Sequence, residues 1–237
     1  MTRTALVISH GQPSDPDPAE TELADLTARV ALLLPGWQIE SATLAAPRSL
    51  SRAISRLGPQ GRAYPLFMAG GWFSRVHLPA RLAEAGGPGW QVLEPLGCDP
   101  AIHDLAIRII ADMRPASVVL AAHGSFRSPV PAAIANHVAD RIAREAGVAR
   151  VDAAFIDQTP RLASITGHGP DAACLPFFAA SGDHVTDDIP AALTQAGFQG
   201  RLLPALGLHG DVPGIIARAI QAGVPTCAQR CHWQQAD

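Results

Sequence analysis

Short apolar runs alternate along this chain with longer stretches in which apolar positions recur every three or four residues. Runs of the first kind suit strands buried on both faces of a parallel sheet, and stretches of the second kind suit helices packed on it. The pattern predicts strands near 4–9, 38–44, 62–69 and 90–94, with helices near 18–34, 47–57, 76–86 and 99–113. It predicts strands again near 117–122, 151–157, 172–179 and 200–205, with helices near 130–147, 160–166, 186–196 and 211–222. Asp99-Pro100, Asp187-Asp188-Ile189-Pro190 and Asp211-Val212-Pro213 place acids and proline where a first turn leaves amide donors unpaired. On this reading Asp187 and Asp188 are helix-capping residues.

The two rounds of strands and helices are copies of each other. Ala5-Leu6-Val7-Ile8-Ser9-His10-Gly11 returns as Val118-Val119-Leu120-Ala121-Ala122-His123-Gly124-Ser125. Pro65-Leu66-Phe67-Met68-Ala69-Gly70-Gly71-Trp72-Phe73 returns as Pro176-Phe177-Phe178-Ala179-Ala180-Ser181-Gly182-Asp183-His184. The two separations differ by only two residues, the signature of a duplicated half. Met113-Arg114-Pro115-Ala116 closes the last helix of the first copy. The expected organisation is therefore a half at 1–115, a half at 116–224 and a flexible tail at 225–237. Only the second copy has a histidine at both repeated positions, because Phe73 stands where His184 does.

A content of 48% hydrophobic and 16% charged residues fits a globular chain, and no apolar run is long enough to cross a bilayer. The amino-terminal residues lack the pattern of a secretion signal, so a cytoplasmic protein is expected. All 18 basic residues are arginine, which excludes a phosphate-binding P-loop lysine and a Schiff-base lysine. The net charge of −3 gives no general attraction to nucleic acid. Cys98, Cys174, Cys227 and Cys231 do not form the spaced pairs of a closed zinc site, and Cys227-Ala228-Gln229-Arg230-Cys231-His232 is expected to lie in the flexible tail.

Strand-His-Gly-Ser followed by Pro176-Phe177-Phe178-Ala179-Ala180-Ser181-Gly182-Asp183-His184-Val185-Thr186-Asp187-Asp188-Ile189-Pro190 resembles the class II tetrapyrrole chelatases, the CbiX and SirB type of sirohydrochlorin cobalto- or ferrochelatase. The resemblance spans both copies. It implies an α/β chelatase-like fold of two duplicated halves, each a parallel four-stranded sheet flanked by helices, with a cleft between them. The activity it implies is insertion of a divalent metal, Co²⁺ or Fe²⁺ with Ni²⁺ as a further option, into sirohydrochlorin or a related tetrapyrrole. His123 and His184 match the family's histidines that bind metal and assist deprotonation. The implied substrates are the ion and the macrocycle, with no organic cofactor and no nucleic-acid or membrane partner, in a monomer or homodimer. Many members carry a glutamate just before the proline that opens the second helix; Asp157-Gln158-Thr159-Pro160 and Leu44-Ala45-Ala46-Pro47 stand there in this chain.

The residue chemistry agrees with these roles. Neutral imidazole holds Co²⁺ or Fe²⁺ firmly enough to displace water, yet weakly enough to release the ion to four pyrrole nitrogens. Insertion also removes two pyrrole protons, which imidazole is suited to accept. Ligands in an open parallel sheet bind beyond the carboxyl ends of the strands, where His10, His123, Phe73 and His184 are all predicted. Arg127 and Arg75, each two residues beyond a repeated edge position, are candidate clamps for substrate carboxylates, and Ser125 and His10 are further substrate-binding candidates. Trp72 and Phe73 suit covering a macrocycle face or packing in a core, and His209 is a reserve ligand. The alternative function is a non-catalytic tetrapyrrole- or metal-binding relative. Phosphoryl transfer through His10 or His123 is disfavoured, since Ser9 and Ala122 precede them where arginine is expected.

Overall fold

The computed structural model describes residues 3–228 and 231–235. Its first sheet is formed by β1 (Arg3–Ser9), β2 (Trp37–Thr43), β3 (Gln60–Pro65) and β4 (Gly89–Val92). The second contains β5 (Ser117–Ala122), β6 (Val151–Phe155), β7 (Ala172–Pro176) and β8 (Arg201–Leu202). Every pairing is parallel, and the strand orders β2-β1-β3-β4 and β6-β5-β7-β8 are the same arrangement twice. Helices α1 (Pro16–Leu32), α2 (Ser49–Leu57), α3 (Leu78–Glu84), α4 (Pro100–Met113), α5 (Val130–Glu145), α6 (Ile189–Gln195) and α7 (Val212–Ala222) complete the α/β architecture expected from the repeat. Among the described residues no helix is long and apolar enough to cross a membrane.

The central strands explain the apolar runs. All six residues of β5 are buried, as a strand covered on both faces requires. Helix α5 buries Ile134, Ala135, Val138, Ala139 and Ile142, the stripe that a 3.6-residue period generates. Strands β3 and β7 stop at Pro65 and Pro176, short of the expected 69 and 179. One more bond, from Phe177 N–H to the Ala121 carbonyl at 2.7 Å, is made before the chain leaves the sheet.

The helix expected at 160–166 is absent. A single 3₁₀ turn at Leu162–Ser164 lies between the extended residues Arg161 and Ile165. The segment runs back beside β6, where the Pro160 carbonyl accepts the Phe155 N–H at 2.9 Å and Arg161 bridges Phe155. The β-branched pair Ile165-Thr166 followed by Gly167 gives a helix little support.

The compact units also depart from the repeat boundary at 115. One comprises Met1–Asp99 and Gly210–Asp237; the other is Pro100–His209. Helix α4 packs with α5, and α7 packs with α1 and β3, so each copy's last helix belongs to the other copy's unit. A sequence repeat marks equivalent segments without specifying which unit a terminal helix joins. Arg62 on β3 secures α7 in the first unit by donating to the carbonyls of Ile220 and Gln221.

The described part of the expected flexible tail is packed. Pro225 bridges Leu93 in antiparallel fashion, the Thr226 N–H donates to the Val92 carbonyl at 3.0 Å, and Cys227, Cys231 and Trp233 are buried. Gln229, Arg230 and the side chain of His232, the rest of the Cys-x3-Cys-His stretch, lie outside the described residues.

Each repeated His-Gly depends on its glycine. Gly11 and Gly124 have φ of +68° and +74°, conformations that turn the chain off the end of β1 or β5. A Cβ on Gly124 would lie 2.6 Å from Gln158 Cγ and 3.0 Å from Phe155 Cβ. Gly124→Ala is therefore expected to destabilise the protein by about 1–3 kcal/mol. A denaturation midpoint equal to wild type would show that the turn tolerates a side chain.

Candidate active site

Strand order places the second unit's histidines together. Chain passes from β5 to β6 on one side and then to β7 on the other, so β5 and β7 flank a topological switch point. His123 follows β5 directly. His184 opens a π-helical turn, His184–Asp188, between β7 and α6. Such widened turns recur at functional sites because they displace a side chain from the regular helical position. The two imidazole centroids lie 4.6 Å apart with the rings nearly perpendicular, at 89°. Both side chains are accessible, at 45% and 43% exposure.

Partners at one ring nitrogen define what the other offers. His184 Nδ1 lies 2.6 Å from Asp188 Oδ2. His123 Nδ1 lies 3.0 Å from the Gly124 carbonyl and 3.4 Å from Asp157 Oδ2. Carbonyl and carboxylate oxygens only accept, so the proton belongs on each Nδ1 and each Nε2 presents a lone pair. This is the arrangement in which outer carboxylates orient metal-binding histidines.

Asp188 thus has a role different from the one read in the sequence. It makes no side-chain cap bond to α6, and its carboxylate lies on His184 one turn earlier. The i,i+4 spacing was visible, but a general helix-start signal masked it. Asp157, beside the family's glutamate position, is carried by β6 to His123; its N–H donates to the His123 carbonyl at 2.9 Å. Gln158 is structural, its Oε1 accepting the Ser125 N–H at 2.7 Å. Ser125 Oγ in turn accepts the N–H groups of Arg127 at 3.1 Å and Ser128 at 3.2 Å, which holds the loop after His123. Arg127 is exposed there. Phe126, 75% exposed, lies under the Arg161 guanidinium at 5.5 Å, an apolar face that the sequence reading did not single out. His168 is structural, bridging Ser117 and Asp152.

In the first unit the equivalent place is aromatic. His10 stacks on Phe67 at 4.4 Å and meets Phe73 at 4.3 Å, while His77 lies 4.7 Å from Phe73 and stacks on Trp72 at 5.3 Å. Phe73 opens the same π-helical turn, Phe73–His77, but offers no lone pair. Arg75 needs correction as a substrate clamp. Its Nη2 donates to Cys227 Sγ at 3.1 Å and Cys231 Sγ at 3.3 Å, so the buried carboxy-terminal segment holds the guanidinium that the loop position had suggested was available.

The CbiX family model matches residues 117–222, the copy that keeps both histidines. No curated protein matches the chain. SirB from Bacillus subtilis with Fe³⁺ shares 16% identity over 94% of this chain and 96% of its own, with a TM-score of 0.75. The sirohydrochlorin chelatase SirB from Bacillus subtilis subspecies spizizenii, in complex with cobalt, gives 16%, the same coverages and 0.73. These two establish the fold. CbiX, described as the terminal enzyme for biosynthesis of siroheme in denitrifying bacteria, is 42% identical over 93% of this chain and 99% of its own, with a TM-score of 0.86. At that identity and coverage the chain belongs to the CbiX family, the CbiX/SirB type of class II tetrapyrrole chelatase.

Proposed function

We propose that this protein inserts a divalent metal, Co²⁺ or Fe²⁺, into sirohydrochlorin or a closely related tetrapyrrole, as a lyase of the cobaltochelatase or ferrochelatase type. The observation that carries the reading is the His123–His184 pair, with Nδ1 engaged on both rings and both Nε2 atoms left as donors. The relative described as the terminal enzyme of siroheme biosynthesis supports the substrate class.

Two imidazoles hold the incoming ion and leave its other positions to water. The four macrocycle nitrogens displace first the waters and then the histidines, an exchange that a cage of thiolates would resist. Insertion releases two pyrrole protons, and the two freed Nε2 atoms accept them. Asp188 and Asp157 stabilise the resulting imidazolium ions through Nδ1–H. Phe126 offers a flat apolar face to the macrocycle, and Arg127 an exposed guanidinium to its carboxylates.

Anaerobic incubation of the protein with sirohydrochlorin and Co²⁺, Fe²⁺ or Ni²⁺, followed by the absorbance change on metallation, tests the proposal. Catalysed metallation with at least one ion is expected. Binding of macrocycle and metal without acceleration would instead identify a non-catalytic relative. Arg127→Ala is expected to weaken apo-sirohydrochlorin binding about tenfold to a hundredfold while leaving metal affinity unchanged, from the loss of one charge-assisted pair. Equal affinities in a fluorescence titration would remove Arg127 from the binding surface.

A further inference from the structure

The first unit contains a second group of metal-ligating side chains, unrelated to the histidine pair. The chain leaves β4 through Glu94 and a 3₁₀ turn, Leu96–Cys98, and the carboxy-terminal segment returns beside it. One ligand atom from each of Glu94, Cys98 and Cys231 lies within 4.8 Å of the others. Cys227 Sγ is 3.8 Å from Glu94 Oε1, and the other oxygen of this carboxylate accepts the Cys227 N–H at 3.1 Å. Cys98, Cys227 and Cys231 are 0%, 8% and 2% exposed.

We propose that Glu94, Cys98 and Cys231, with Cys227 as the fourth donor, bind a single thiophilic divalent cation of the Zn²⁺ class. The compactness of the group favours one ion: zinc–sulfur bonds of about 2.3 Å in a tetrahedron set neighbouring sulfurs about 3.8 Å apart. The charge balance points the same way. An ion bound by thiolates would be well balanced here: three thiolates and a carboxylate would carry four negative charges, which a divalent cation and the neighbouring Arg75 guanidinium would largely offset. The surroundings also suit bound thiolate. The Gly70 N–H donates to Cys98 Sγ at 3.1 Å, and Arg75 donates to the other two sulfurs, as outer partners of metal-bound sulfur do. A Cβ on Gly70 would sit 3.3 Å from both Cys98 Sγ and Cys231 Sγ, so the glycine leaves the sulfurs room.

Two segments far apart in sequence, 94–98 and 227–231, meet here, so the ion would pin the carboxy-terminal segment against the end of β4. It would not exchange with the substrate metal at His123 and His184, because thiolates retain what imidazoles release. The inference does not rest on the proposed chelatase activity.

Full-length untagged protein, prepared anaerobically with reductant, provides the test. The His123→Ala, His184→Ala double variant is expected to bind one equivalent of Zn²⁺. With Co²⁺ in its place, this variant should show the sulfur-to-cobalt charge-transfer band that imidazole and carboxylate ligation do not produce. Cys98→Ser, Cys231→Ser and Glu94→Gln, added singly to that double variant, are expected to weaken binding at least tenfold, with the cysteine changes diminishing the band. Cys231, in the carboxy-terminal segment, keeps the test valid if Cys98→Ser fails to fold. Absence of the band in the double variant, a band unchanged by Cys231→Ser, or a Cys98–Cys231 disulfide in place of bound metal would overturn the assignment.

Discussion

His184→Ala is expected to reduce metal insertion at least about a hundredfold while leaving the fold intact. Alanine removes one of two Nε2 donors and, with it, the acceptor for one pyrrole proton. Proton transfer by a positioned group alone is typically worth about 10² to 10⁴ in rate. Stability should hardly change, because the side chain is 43% exposed and its polar partner is an exposed carboxylate. His123→Ala should behave alike, since its ring is equally accessible and meets His184 at 4.6 Å. Initial rates of metallation, measured alongside denaturant midpoints, separate the two effects. A His184→Ala protein that keeps wild-type rates would remove the imidazole pair from the chemistry.

The second large effect concerns the residue behind His184. Asp188→Asn should weaken Co²⁺ binding and slow insertion about tenfold to a hundredfold, the usual consequence of losing the carboxylate that orients a metal-binding histidine. The carboxylate keeps the proton on Nδ1 across 2.6 Å and offsets the charge of an imidazolium. An amide can present either a donor or an acceptor to the ring, so the tautomer is no longer dictated. Asp157→Asn should cost less, because the carboxylate is 3.4 Å from His123 Nδ1 and the Gly124 carbonyl remains at 3.0 Å. Isothermal titration with Co²⁺ reads both. If Asp157→Asn proved the more damaging, the two carboxylates would have been given the wrong weights.

Those weights could not be read from the sequence, although much of the frame could. Apolar runs located β1 and β5, and the repeated His-Gly set His10 and His123 at strand ends, because burial periodicity and a left-handed glycine are local properties. The pairing of His184 with Asp188 was equally local, but an acid at a helix start has a commoner use. Residues 160–166 misled because a short apolar stretch satisfies a helical pattern without the length to sustain a helix. The exchange of α4 and α7 between units and the meeting of Cys98 with Cys231 are decided by tertiary packing, which leaves no spacing to read. Arg75 was misassigned for the same reason: nothing near it in sequence announces Cys227.

The mechanism requires that the ion held by His123 and His184 be the ion delivered to the macrocycle. A single-turnover experiment tests this. Anaerobic Cys231→Ser protein, chosen to weaken competing ligation by the cysteine cluster, is loaded with one equivalent of isotopically enriched Co²⁺ and mixed with sirohydrochlorin together with excess unlabelled Co²⁺. The first metallated product is expected to carry the enriched isotope. Product carrying only unlabelled cobalt, with the enriched ion still on the protein, would contradict it.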